Sequence, residues 1–237
     1  AHIDETTVQV LNEPMRENTR KGYMWVVRGG PPEQIVYIYQ YDQSRSSDVA
    51  VSLLEGFSGH LMSDAYGGYK TLTRKKTSGI RNVFCWAHAR RRFVDAAKAQ
   101  RKAGTAHEGV SLIKNLYIIE KNLRSELDQG LISLEVFSCK RREQVEPVFK
   151  QLKGWLHSKA AVVTSSSLVG EAIGYTLNNW EQLIRYIEHP QLTPDNNVME
   201  REGIKPFVMG RRGWLFSGSP AGAASSAMLY SIIATAK

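Results

Sequence analysis

The chain opens with apolar and polar positions in partial alternation and later shifts to a helical period. Residues 2–11 (HIDETTVQVL), 21–28 (KGYMWVVR) and 34–41 (QIVYIYQY) are rich in β-branched and aromatic residues, and Gly29-Gly30-Pro31-Pro32 separates the last two. This pattern predicts a three-stranded antiparallel meander. Ser46, Ser47 and Asp48 offer caps for an amphipathic helix with Val49, Leu53, Leu54 and Phe57 on one side, ending near Gly56 to Gly59. A short strand over residues 60–63 follows, with Asp64 at its C-terminal end before a loose Ala65-Tyr66-Gly67-Gly68-Tyr69. A further strand over 80–85 leads into a basic helix from about residue 87 to 102. The expected order is β-β-β-α-β-(α)-β-α.

From residue 104 to about 189 the period is helical, through Val110, Ile113, Leu116, Tyr117 and Leu123, then Leu152 and Leu156, then Leu183, Ile184 and Ile187. Thr193-Pro194 predicts a helix start, with Glu202 near its end and Gly203 as its stop; Ser219-Pro220 predicts the start of the last helix. No internal repeat is visible. These elements place the chain in the α/β class.

Composition bounds the reading without changing it. A chain of 237 residues, 42% hydrophobic, can bury a sizeable core as one large domain or two small ones. Cys85 and Cys139 make no disulfide framework, which suggests a reducing, cytoplasmic setting. The longest charge-free span, residues 213–236, is broken by Ser217, Gly218, Ser219, Pro220 and Gly222, so no membrane span is expected. The chain begins at Ala1 without a Met or a secretory signal, as expected of a piece of a longer protein.

Charge points to a class of partner. The net +8 is concentrated: residues 70–103 hold 11 basic side chains against Asp95 alone, while residues 1–69 are net −4, 104–199 net −1 and 200–237 net +3. Such a segment suits a polyanion, and nucleic acid is the first candidate. Lys75, Lys76, His88 and Arg91 are candidate DNA contacts, with His88 expected to begin the basic helix. Arg90, Arg91 and Arg92 lie about 100° apart on a helix and cannot all point one way. Lys205, Arg211 and Arg212, with Trp214 and Phe216 close behind, suit either phosphate contacts with a base-stacking platform or ordinary aromatic packing under a charged surface.

Acidic residues in a basic chain of this kind make chemical sense if a metal ion neutralises them. Asp4 lies in the first strand, Asp64 at the end of the fourth, and Glu200 on a helix after the helical block. Mg²⁺ prefers hard oxygen ligands and binds through few carboxylates together with substrate phosphates, and a pair of such ions supports in-line displacement at phosphorus. Cys85 and His88 have the C-x-x-H spacing of half a zinc site, but the other half is missing, and Cys85 reads as a buried strand residue.

Five ordered segments, HIDETTVQV, LMSDAYGGY, CWAHARRRF, PDNNVMER and GRRGWLFSGS with its Ala/Ser-rich terminal helix, together resemble the catalytic region of the insertion-sequence-66 family of bacterial DDE transposases. The resemblance runs from residue 2 to 237. It implies a ribonuclease H-like mixed sheet with flanking helices, made of residues 1–103 and 193–237, with an all-helical insertion at 104–192. It implies Asp4, Asp64 and Glu200 as catalytic and metal-binding residues, Mg²⁺ as cofactor with Mn²⁺ as substitute, and cleavage at transposon ends followed by strand transfer into target DNA. Double-stranded DNA is the expected partner, bound by a homo-oligomer at the bacterial nucleoid. The alternatives are a nuclease of the same fold that does not join strands, and an inactive DNA-binding or assembly module. The family's full chains carry N-terminal segments thought to recognise the ends of the element, and a sequence read from Ala1 is expected to lack them, which makes site-specific binding by this piece unexpected. The run E-R-E-G-I-K is one residue longer than the family's E-R-x-I-K, which makes Glu202 a rival to Glu200. Helix geometry favours Glu200, which shares a polar stripe with Asn196 and Asn197, whereas Glu202 sits over Val198 and Met199.

Overall fold

A computed structural model describes residues 1–74, 79–99 and 103–237. Packing divides them into two compact units, Ala1–Asn82 with Asn196–Lys237, and Val83–Asp195.

The first unit is built on the strands β1 (His2–Gln9), β2 (Lys21–Gly29), β3 (Val36–Asp42), β4 (Gly59–Ser63) and β5 (Ile80–Phe84), the last of which runs past the division. Their order is β3-β2-β1-β4-β5. The three N-terminal strands form the expected antiparallel meander, and β1 pairs parallel with β4, so the sheet is mixed. Apolar side chains run unbroken through Tyr23-Met24-Trp25-Val26-Val27 because β2 lies between two strands and is covered on both faces. Trp25 and Val27 join Ile3 and Leu61 on one face, with Val49, Ala50, Leu54, Tyr69 and Leu72 of the helices α1 (Ser47–Leu53) and α2 (Gly67–Arg74) and the turn between them. Met24 and Val26 join Val8, Tyr37 and Tyr39 on the other, against Met199, Phe207, Ala223 and Ala227. Helix α2 begins within the segment read as loose from Gly67-Gly68.

The turn before β3 requires glycine at Gly30, whose φ is +104° and where a Cβ would lie 2.2 Å from the Gln34 carbonyl oxygen. Strand β3 is an edge, and its exposed backbone is covered. The Tyr37 and Tyr39 N–H groups donate to Thr235 Oγ1 (3.0 Å) and Ser231 Oγ (2.8 Å) of α9 (Pro220–Thr235). This pairing with helix hydroxyls protects the strand from pairing with another chain. The Ser219 hydroxyl accepts the Gly222 N–H, and Pro220 follows it, as the Ser-Pro signal predicts.

The second unit carries α3 (Trp86–Lys98), α4 (Thr105–Asp128), α5 (Leu134–Ala160), α6 (Leu168–Asn178), α7 (Trp180–Ile184) and a 3-10 turn, Arg185–Glu188. Its core includes the expected Ile113, Leu116, Leu123, Leu152, Leu156 and Leu183. Arg141, wholly buried, is held by Glu120 at 2.9 and 3.1 Å and also donates to the backbone carbonyls of His189 (3.1 Å) and Leu192. Arg124 joins Glu120 (2.9 Å) to the Pro190 and Leu192 carbonyls (2.6 and 2.9 Å). Among the described residues no helix is long and apolar enough to cross a membrane.

The helix expected from Thr193-Pro194 to a stop at Gly203 forms differently. The Thr193 hydroxyl donates to the Asp195 carbonyl, and the first helical acceptor is the Asn196 carbonyl, which takes the N–H groups of Met199 and Glu200 at 3.0 and 3.1 Å. A π-helical stretch, Met199–Ile204, then passes directly into α8 (Lys205–Trp214). Gly203 is interior. A Cβ there would stand 2.9 Å from Met199 Sδ and 3.4 Å from Val26, so glycine serves close packing on β2 rather than termination.

Candidate functional site

Strand alternation decides which acids meet. On β1, Glu5 points to the α1 and α2 side, where it receives Arg45 Nε at 2.5 Å and the Tyr69 hydroxyl. Asp4 points to the opposite face, half-buried. Asp64 follows directly on β4, the parallel neighbour of β1, and its Oδ1 accepts the Tyr66 N–H at 3.0 Å, which turns the chain into α2. Glu200 lies in the first part of the π-helical stretch.

The electrostatics of Asp4 register the other two acids after larger effects of burial and Glu5. Burial pushes the Asp4 carboxyl up to about 7, the adjacent Glu5 carboxylate adds to this, and Asp64 and Glu200 add further; the Glu5 N–H, 2.8 Å from Asp4 Oδ1, pulls the other way. Such a cluster suits a hard cation that would relieve its repulsion. Among the described residues, no three His, Cys, Asp or Glu side chains converge as a ready metal shell. The oxygen donors nonetheless fit Mg²⁺, which needs one or two carboxylates and completes its coordination with water and substrate phosphate.

A stability prediction follows from Asp4. An ordinary Asp titrates at 3.8, so between pH 4 and 7 the folded chain holds a proton that the unfolded chain has lost, and Asp4 costs stability as pH rises through that window. The penalty has a ceiling of about 4 kcal/mol. In metal-free buffer Asp4→Asn should therefore match the parent near pH 4 and melt above it by a margin that grows towards pH 7. The difference between the two proteins is the quantity to read, because His2, which burial holds down at about 4, has the opposite slope. A margin independent of pH would contradict the burial of an Asp4 carboxyl with a raised pKa.

His2 and Asn196 border this site. His2 Nδ1 lies 2.7 Å from Asn196 Oδ1, and Asn196 Nδ2 donates to the Ile3 carbonyl at 3.4 Å. With His2 neutral and the Asn196 amide nitrogen turned to Ile3, Nδ1 carries the proton.

Glu202 points elsewhere. It accepts Arg201 Nη2 at 2.7 Å and the Tyr37 hydroxyl at 2.8 Å, with Arg28 Nε at 4.0 Å. The Arg201 hydrogen bond, with help from Tyr37 and Arg28, holds its carboxyl below the usual range. The π-helical turn over Met199–Ile204 spans one residue more than an α turn and runs on into α8 as a continuous helix.

The candidate DNA contacts fall in several places. Lys75 and Lys76 lie outside the described residues. His88 is half-buried and Arg91 exposed on α3, in the second unit, where the Arg92 guanidinium sits 4.3 Å from the Tyr175 ring centre. Lys205 and Arg212 are exposed on α8. Arg211 donates to the Thr7 carbonyl of β1 and, at 3.2 Å, to Thr6 Oγ1. Trp214 is half-buried, edge-on to Phe207 with centroids 5.4 Å apart, whereas Phe216 is exposed. Packing accounts for Trp214. The GRRGWLFSGS segment is also stitched to β1 by Ser217, whose N–H donates to the Gln9 carbonyl (2.9 Å) and whose carbonyl accepts the Leu11 N–H (2.8 Å). Sequence reading missed Glu5, Tyr69 and His2 around the acids; the adjacency of Asp4 and Glu5 on a strand was the available signal for an inward pair on opposite faces.

Comparison with known proteins adds an independent line. The family model described as "Transposase IS66 family" matches residues 1–225. The uncharacterized protein y4jD of Sinorhizobium fredii (strain NBRC 101917 / NGR234) is 33% identical over 245 residues, covering 99% of this chain and 46% of the relative. A second uncharacterized protein of that strain, y4hP, is 29% identical over 257 residues, covering 100% of this chain and 44% of the relative. The chain thus spans less than half the length of these curated relatives. With the family match running from β1 through the acids and into α9, the chain belongs to the IS66 transposase family.

Proposed function

We propose that this chain is the catalytic core of a DDE transposase with a ribonuclease H-like fold, which cleaves DNA at transposon ends and transfers the freed 3′ hydroxyls into target DNA. The observation that carries the reading is the Asp4 carboxyl, half-buried on a central strand and raised by burial and Glu5 first, with smaller contributions from Asp64 and Glu200. The strand order β3-β2-β1-β4-β5, antiparallel on one side of β1 and parallel on the other, supports the fold assignment.

Asp4, Asp64 and Glu200 would hold Mg²⁺, or Mn²⁺ in its place. When bound, the metal would supply activation of an attacking oxygen and stabilisation of a leaving one at phosphorus. The chain's own residues set the frame: β1 carries Asp4, its parallel neighbour β4 is followed directly by Asp64, and the continuous helix beyond Asn196 carries Glu200. Arg211 and Ser217 fasten the C-terminal motif to β1. The proposed partner is double-stranded DNA, bound by a homo-oligomer in the cytoplasm at the nucleoid. Exposed Arg91, Lys205 and Arg212 supply candidate phosphate contacts with little sequence information, so binding by this chain should be mainly electrostatic.

Incubation with a labelled DNA end bearing a 3′ hydroxyl, a supercoiled target plasmid and Mg²⁺ tests the reading. Joined products are expected. Nicks without joining would instead identify a nuclease, and binding alone an inactive assembly module.

A further inference from the structure

Asp4 and Glu200 are 196 residues apart in sequence, and their spacing depends on how the π-helical stretch is docked on β1. One buried residue, Asn196, is bonded to the strand beside one acid through its side chain and to the turn bearing the other through its backbone. Asn196 is 1% exposed. Its amide bridges to β1 through His2 Nδ1 at 2.7 Å and the Ile3 carbonyl at 3.4 Å, the two residues that immediately precede Asp4. Its backbone carbonyl accepts the Glu200 N–H at 3.1 Å and that of Met199 at 3.0 Å. The residue that fixes the strand beside one acid therefore starts the helical turn that bears the other.

We propose that Asn196 is a positioning residue that sets the separation of the Asp4 and Glu200 carboxylates. The inference rests on the reading of these acids as a metal site. Truncation to alanine removes both side-chain hydrogen bonds from Asn196 to β1 while keeping its backbone carbonyl at the start of the helix. Loss of a buried residue that orients metal ligands weakens metal affinity by about 10–100-fold.

The test is calorimetric titration of the chain with Mn²⁺ alone, beside thermal melting in metal-free buffer. Asn82 provides the control: it is a buried amide of the same unit, donating to the Tyr69 carbonyl at 2.9 Å. Asn196→Ala should bind Mn²⁺ about 10–100-fold more weakly than the parent, whereas Asn82→Ala should lower the melting transition without that loss of affinity. On a Glu200→Gln background, Asn196→Ala should cost less affinity than it does alone, because the group it positions has already gone. If the alanine variant does not fold, Asn196→Ser takes its place, since a hydroxyl can still begin the helix but is too short to bridge His2 and Ile3.

Parental affinity in Asn196→Ala or Asn196→Ser together with weakened affinity in Glu200→Gln would overturn the positioning role and leave the metal site standing. An equal loss in Asn82→Ala would also overturn it, by showing a general effect of destabilisation. Parental affinity in Glu200→Gln would remove the metal-site reading and the inference with it.

Discussion

Glu200→Gln is expected to abolish metal-dependent strand cleavage, while Glu202→Gln keeps it within a few-fold of the parent. Both residues carry the same charge and lie two positions apart in one π-helical stretch, so composition and proximity do not separate them. Their surroundings do. Glu200 adds to the field that raises the Asp4 carboxyl, whereas Glu202 is engaged by Arg201, Tyr37 and Arg28. Removing the negative charge at Glu200 should lower the rate to less than about one-hundredth, the scale on which loss of one charge-stabilising group is felt in a preorganised site. At Glu202 the glutamine retains an oxygen for the Tyr37 hydroxyl, and the partly exposed Arg201 pair contributes about 0–1 kcal/mol. Cleavage measured on a labelled duplex, with melting curves to show that both variants fold, gives the comparison. The reverse pattern would place the functional acid at Glu202, and loss in neither would point to an inactive chain.

The largest stability effect is expected in the helical unit, at Arg141. This guanidinium is wholly buried, and its arms reach Glu120 and the carbonyls of His189 and Leu192. Arg141→Met leaves Glu120 in the interior with Arg124 as its remaining described cation, and strips two carbonyls of a donor. Breaking a buried pair from one side costs about 3–5 kcal/mol. That corresponds to a fall of the melting transition by on the order of 10 °C for a chain of this size. The double replacement Arg141→Met with Glu120→Leu should recover part of the loss, because a well-packed apolar pair removes the uncompensated charge. Denaturation of the single and double variants checks this, with exposed Lys121→Met as a control expected to stay within about 0.5 kcal/mol. A single variant as stable as the control would contradict the clamp.

Much of the sheet was legible because its causes are local. The β-branched and aromatic residues of 2–11, 21–28 and 34–41, with the glycines and prolines at 29–32 between the last two, read as strands and a turn, and the structure has them there. Ser219-Pro220 signals a helix start in the same local way, and the structure has one there. What was not legible depends on contacts far apart in sequence. Gly203 reads as a helix stop until Met199 and Val26 are seen packed against it. Thr193-Pro194 reads as a cap, yet the Thr193 hydroxyl turns to Asp195 and the first helical acceptor is the Asn196 carbonyl. Arg211 looks like a phosphate contact in a basic motif, while its guanidinium holds the Thr7 carbonyl. The buried Arg141 and Glu120 gave no signal at all, since a charged pair 21 residues apart on two helices looks like any two surface charges.

The placement of Asp4, Asp64 and Glu200 rests on alternation, parallel pairing and one helical turn, and it underlies every functional statement made of this chain. Diffraction from crystals soaked in Mn²⁺, recorded at the manganese absorption edge, tests it most directly. Anomalous density is expected against the Asp4 and Asp64 carboxylates with Glu200 facing it, and density only elsewhere, or at Glu202 with the Asp4 site empty, would contradict the account.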